Sequence, residues 1–237
     1  MSKPIIGMIS PRTINDDSPF KNYTKFVNTY PQMIIKAGGI PIGIVFPDGK
    51  FNNEYMDLCD GFIFQGGPTI ESSHICAIHY ALEKNKPILG ICLGMQALAG
   101  YNWVYETLGS TLTYSKIENF FKPENEEFFL EKIEGHNELD PFILDKIEDS
   151  KHEVIFDKKS ELYKIYGRSS NFPSLHNFAV KEEILNNSKL FKITGKSPDG
   201  IVEAIEGDNF IIGVQFHPEL EDQNLPLFKS LVKKSKK

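Results

Sequence analysis

The chain has 237 residues, 41% of them hydrophobic and 24% charged, with a formal net charge of −6. That composition supports a full hydrophobic core and argues against disorder, and the length suits one large α/β domain more readily than two small ones. The acidic balance, with no basic patch interleaved with aromatics, excludes a nucleic-acid groove, and no segment approaches the ~20 apolar residues that would span a membrane.

Taken in chain order, "PIIGMIS" reads as a strand, "NYTKFVNTYPQMIIKA" as a helix kinked at Pro31, and Gly38-Gly39 as its stop. "IPIGIVF" is a second strand, followed by a short amphipathic piece through Cys59. "GFIF" is a third strand, "HICAIHYALEKN" a helix and "KPILGIC" a fourth strand, and "LGMQALAGYNWVYETLG" is a helix closed by Gly109. Strands written as continuous Ile/Val/Leu/Phe runs and alternating with helices predict a mostly parallel central sheet covered on both faces. Residues 113–151 are charged and irregular and read as an insertion or lid within a single domain spanning 1–237. The strand-like runs "HEVIFD", "SLHNFAV", "LFKITGK", "GIVEAIEG" and "NFIIGVQF" follow, separated by "SPDG" and "GDN", and predict additional antiparallel strands.

Ligands in such sheets gather at the carboxyl ends of the strands, where "GICLG" places Cys92. Strand, G-x-C-x-G, then helix is the pattern of a nucleophile elbow. The helix N-terminus favours a thiolate there, and the Leu93 N–H points to where an oxyanion develops. Alone, the motif is equally compatible with a packed cysteine. "GVQFHPE" adds His217 after a strand, with Glu219 two residues on, which supply a base and the carboxylate that orients it. "FQGGPTI" places Gly66 and Gly67 at a neighbouring strand end, as a tight turn or as a second oxyanion donor. His74 and His79 are spaced poorly for a shared metal, Cys59 and Cys76 read as core, and His136 and His152 receive no role. No metal is assigned.

Cys92, Gln96 four residues later, "HPE" at 217–219 and "QGGP" together resemble the class I (triad) glutamine amidotransferase superfamily. That resemblance implies a flavodoxin-like sheet, a catalytic triad of Cys92, His217 and Glu219, and an oxyanion hole of Gly67 and Leu93. "HEVIFDKKSELYKIYG", "SLHNFAV" and "SPDGIVEAIE" are most similar to the peptidase C26 branch, the γ-glutamyl-γ-aminobutyrate hydrolase-like proteins. By that likeness Gly66, Gln96, His176, Asn177 and Phe178 hold the substrate, and the chain is a hydrolase of a small γ-glutamyl amide that requires no cofactor. It departs from the branch in "QGGPTIESS", which lacks an Asp, and in "HNF" where the branch has H-H-Q, so the amine stays open.

The alternatives are a glutaminase subunit that passes ammonia to a synthetase partner, and a non-catalytic or redox-sensing module. A homo-oligomer stays open. The expected location is the cytoplasm, since the apolar run before Pro11 and Arg12 is too short for a signal peptide.

Overall fold

The computed structural model describes residues 2–14, 17, 19–109, 111–137 and 144–236, with only the backbone of 144–146. In chain order the elements begin with β1 (Ile5–Ile9), β2 (Arg12–Ile14), β3 (Asn22–Thr24), α1 (Thr29–Lys36), β4 (Ile40–Ile44), α2 (Asn53–Asp57) and β5 (Gly61–Phe64). They continue with α3 (Ser72–Glu83), β6 (Ile88–Ile91), α4 (Leu93–Leu108), α5 (Tyr114–Phe120), β7 (Leu130–Lys132), β8 (Lys151–Phe156) and α6 (Glu161–Tyr166). The last are β9 (Ser169–Pro173), β10 (Phe178–Val180), β11 (Lys192–Lys196), β12 (Val202–Gly207), β13 (Ile211–Val214) and α7 (Leu225–Lys234).

Nine strands form one sheet in the order β4-β1-β5-β6-β13-β12-β11-β8-β9. The first five are parallel and the rest pair antiparallel. Numbered by their own chain order, the parallel five run 2-1-3-4-5, the flavodoxin-like arrangement. β5, β6 and β13 are buried throughout, as parallel strands covered on both faces must be. One core, against α2, α3, α4 and α5, centres on Phe62, Phe64, Ile75, Met95 and Leu98. The other, against α1, α6 and α7, centres on Ile6, Ile63, Phe172, Phe216 and Phe228. No helix among the described residues is long and apolar enough to cross a membrane.

The sequence reading of residues 22–37 as one helix is corrected. Residues 22–24 pair with 12–14 in a hairpin, and α1 begins only at Thr29. Pro31 therefore lies in the first turn, where a missing N–H leaves no intrahelical bond unmade, and it kinks nothing. "SLHNFAV" also forms less strand than its pattern predicts. Only Phe178–Val180 is strand, and it pairs with β7 outside the main sheet.

Within the segment 113–151, residues 138–143 lie outside the described part. Ile117, Phe121, Phe129 and Leu130 belong to the larger core. Trp103 on α4 stacks on Phe120, Phe128 and Phe129, and Gly100 leaves room for the Phe129 ring, which an added Cβ would meet at 2.8 Å.

Candidate active site

The sheet order brings the site together. β6 lies between β5 and β13, with Val214 in register with Ile91, so residues that follow these strands meet at one carboxyl edge. Those residues are the Gly66-Gly67 turn, Cys92 and His217.

Cys92 is the residue between β6 and α4. Its backbone has φ 52° and ψ −108°, a conformation that L-residues rarely adopt, and its N–H is anchored to the Val214 carbonyl at 2.8 Å. Its own carbonyl accepts from Met95 and Gln96, so the helix starts at once and Leu93 is its first residue. Both flanking glycines are required by close approach. A Cβ on Gly94 would lie 2.3 Å from the Phe64 carbonyl oxygen, and one on Gly90 would lie 2.6 Å from the Gly94 oxygen. Cys92 is 8% exposed, whereas Cys59 and Cys76 are sealed in the core. Burial pushes the Cys59 thiol up to about 11 and raises that of Cys76 further, which leaves both poor nucleophiles.

His217 follows β13, its N–H bonded to the Pro173 carbonyl at 3.0 Å. Nδ1 lies 2.7 Å from Glu219 Oε1. Since a carboxylate only accepts, Nδ1 carries a proton, and Nε2 is the ring nitrogen that Glu219 leaves free for Cys92. Burial opposes the imidazolium, but the neighbouring Glu219 carboxylate and Cys92 sulfur outweigh it and hold the His217 pKa well above the ordinary histidine value. Glu219 sits in a short helical turn opened by Pro218 and is almost fully buried.

Gly66 packs into the same corner. An added Cβ would lie 3.1 Å from His217 Cε1 and 3.4 Å from both Cys92 Cβ and the Tyr30 hydroxyl. Its N–H donates to that hydroxyl at 3.1 Å. Gly67 borders Leu93, with its Cβ direction 3.4 Å from Leu93 Cδ2 and blocked by Pro11. Tyr30, buried beside Glu219 and Cys92, was not singled out by sequence reasoning; burial first, then the Glu219 charge, raises its pKa and keeps it a neutral phenol.

Of the other predicted substrate residues, Gln96 is buried and its Nε2 donates to the Phe178 carbonyl and to Gln215 Oε1, both at 3.1 Å. The His176 ring turns into a buried cluster with His136, His152 and Glu203. Asn177 is exposed and its carbonyl accepts from the Ile133 N–H, and the Phe178 side chain is 47% exposed.

A strained cysteine, a histidine that hydrogen-bonds it and a carboxylate behind that histidine form the constellation of a thiol nucleophile with base and orienter. The family model for class-I glutamine amidotransferases matches residues 21–233. The chain belongs to that family. RP404 of Rickettsia prowazekii, named as glutamine amidotransferase-like, is 33% identical over 99% of this chain and 98% of its own length. The γ-glutamyl-γ-aminobutyrate hydrolase PuuD of Escherichia coli is 26% identical over 98% of this chain and 91% of its own. In fold, the glutaminase domain of Trypanosoma brucei CTPS, solved with bound acivicin, superposes with a TM-score of 0.65 at 18% identity, covering 98% of this chain and 93% of that one.

Proposed function

We propose that this amidotransferase-family chain is a cysteine hydrolase that cleaves the γ-glutamyl amide bond of a small γ-glutamyl amine, releasing glutamate and the amine, in the cytoplasm. The observation that carries the reading is the meeting of Cys92 and His217 at one carboxyl edge, both within 3.4 Å of a Cβ placed on Gly66, with Glu219 Oε1 2.7 Å from His217 Nδ1. The full-length likeness to the E. coli hydrolase supports the γ-glutamyl group as the acyl part.

In this reading the Cys92 thiolate attacks the γ-carbonyl carbon, and the carbonyl π pair moves to oxygen. The Gly67 and Leu93 N–H groups receive that oxyanion; one such donor is typically worth ~10²–10³ in rate. The Gly66 N–H is already bonded to Tyr30, which leaves Gly67 as the donor on that turn. Collapse of the adduct breaks the C–N bond, and His217 Nε2–H protonates the departing nitrogen. Water, deprotonated by the same Nε2, then cleaves the γ-glutamyl thioester and restores the thiol. Glu219 holds the ring tautomer throughout. Gln96 and the 176–178 segment border the glutamyl moiety.

The test is incubation of the purified chain with a panel of γ-glutamyl amines and with glutamine, reading glutamate release and the mass of the chain. A γ-glutamyl adduct on Cys92 and turnover of at least one amine are expected. Glutamine turnover that begins only when a second protein is added would instead make it a glutaminase subunit, a reading supported by the family itself. No adduct and no glutamate across the panel would end the hydrolase proposal.

A further inference from the structure

One strand away from β13, β12 carries Glu203, a carboxylate with no exposed side-chain surface. Three imidazoles from three other parts of the chain converge on its Oε1. His152 Nε2, from β8, is 3.1 Å away; His136 Nδ1, after β7, is 3.2 Å away; and His176 Nε2, before β10, is 3.5 Å away.

These approaches are close but misdirected for hydrogen bonding. Neither Glu203 oxygen has a hydrogen-bond partner, and neither has His152 Nε2, although all three atoms are buried. Buried polar atoms are almost always paired, because leaving one unpaired forfeits its solvation. Donor and acceptor chemistry sharpens the anomaly. His136 Nε2 lies 3.0 Å from Asp199 Oδ2, and His176 Nδ1 lies 3.0 Å from the Phe178 carbonyl. Both outer partners can only accept, so the outer nitrogens carry the protons. In the neutral rings His136 Nδ1 and His176 Nε2 then present lone pairs to each other across 3.3 Å. Two lone pairs and a carboxylate facing one point call for positive charge there, which a metal ion would supply to all of them at once and a proton on His136 Nδ1 to one pair only.

The geometry points to a divalent transition-metal site, suited to Zn²⁺, built from His136 Nδ1, His152 Nε2 and Glu203 Oε1, with His176 Nε2 as the neighbouring fourth donor. The first three atoms lie within 4.8 Å of one another. Tetrahedral zinc bonds of ~2.0–2.2 Å to nitrogen and oxygen hold neighbouring ligand atoms about 3.3–3.6 Å apart, within a few tenths of an ångström of the 3.1 and 3.2 Å separations. Two histidines and a carboxylate are a donor set of zinc sites and also of non-haem Fe(II) sites. The Asp199 carboxylate and the Phe178 carbonyl act as the outer partners that fix tautomers in metal sites. The His176 and His152 ring centroids are 6.4 Å apart, and His176 Nε2 is the most distant of the three nitrogens from Glu203 Oε1, so the other three atoms are the core of the site.

The ion ties the loop after β7 and strand β8 to β12. Through His176 it also supports the Phe178 carbonyl to which Gln96 donates. It uses none of Cys92, His217 and Glu219, and metal binding is read without any γ-glutamyl substrate, so its test does not depend on the γ-glutamyl reading.

The test is metal binding by the full, tag-free chain, stripped with a chelator while folded. Zn²⁺ is titrated against a chromophoric competitor, and Co²⁺ is used as a spectroscopic substitute. One equivalent of Zn²⁺ per chain is expected, with a melting temperature that rises with free Zn²⁺. The Co²⁺ form is expected to show visible d–d bands without a thiolate charge-transfer band. His152→Gln and His136→Asn should each lose the bound equivalent, whereas Cys92→Ala should keep it. The folded wild-type chain taking up less than about a tenth of an equivalent overturns the site, whatever the variants do. So does a thiolate band, or uptake that disappears with Cys92, since either places the ion on the Cys92–His217 pair.

Discussion

The Gly66 amide donates to the Tyr30 hydroxyl at 3.1 Å, and that hydroxyl lies against Glu219 and Cys92. Tyr30 thereby fixes the turn that carries Gly67 and packs behind Cys92 and Glu219, a positioning role rather than a chemical one. Tyr30→Phe keeps the ring and strands the Gly66 N–H. An unpaired buried amide costs about 1–3 kcal/mol, so the melting temperature should fall, and a loosened turn should lower kcat about tenfold with less effect on KM. Measured melting and kinetics equal to wild type would remove Tyr30 from the site.

Gly94→Ala tests why the elbow needs its glycines. The added methyl meets the backbone of Phe64, its carbonyl oxygen at 2.3 Å and its carbonyl carbon at 2.9 Å, so no side-chain rotation relieves it. α4 must move away from β5, carrying Leu93 with it. The expected outcome is a loss of more than about 3 kcal/mol in urea unfolding, or no folded protein at all. A variant melting within a few degrees of wild type would show that the helix can shift freely.

The parts legible in the sequence are those written in one place. "GFIF", "KPILGIC" and "IIGVQF" are apolar runs long enough to announce buried parallel strands, and the site residues follow them directly. What joins Cys92 to His217 is the adjacency of β6 and β13, which no local pattern states because six strands separate the two in the chain. The start of α1 was obscured because "NYTKFV" continues the apolar spacing of the helix while its Tyr, Thr, Phe and Val suit strand and loop equally. Tyr30 went unnoticed with it. The cluster around Glu203 was not legible, since its four members come from β8, β12 and two loops and no two are close in sequence. "SLHNFAV" reads as a strand-like run, yet the Ser174 side chain and the His176 N–H are both held by the His136 carbonyl, which pulls the start of that segment out of strand geometry.

His217 also makes stability depend on pH. Its folded pKa lies well above the ~6.5 of an unfolded histidine, because the nearby Glu219 and Cys92 charges outweigh burial. The stabilisation is therefore complete below that unfolded value and is lost as pH rises through the folded one. Glu219→Gln removes the largest of the raising influences and keeps the shape. The difference in urea-unfolding free energy between wild type and this variant should shrink from near-neutral to alkaline pH. A constant difference over that window would mean that His217 is not held protonated by Glu219.

The strained backbone at Cys92 gives the last prediction. At most positions Ala is the more stabilising replacement and Gly the less, by roughly 0.5–1 kcal/mol, because glycine loses more conformational freedom on folding. At φ 52° the order should invert, since glycine has no Cβ to clash there. Cys92→Gly is expected to unfold at higher urea than Cys92→Ala, by about 1 kcal/mol, with both inactive and both cooperative. The comparison separates strain from chemistry, because neither variant has the thiol and they differ by one methyl group. If Ala proves the more stable, the elbow holds no appreciable strain, and the thiol is presented by packing of Gly90 and Gly94 alone.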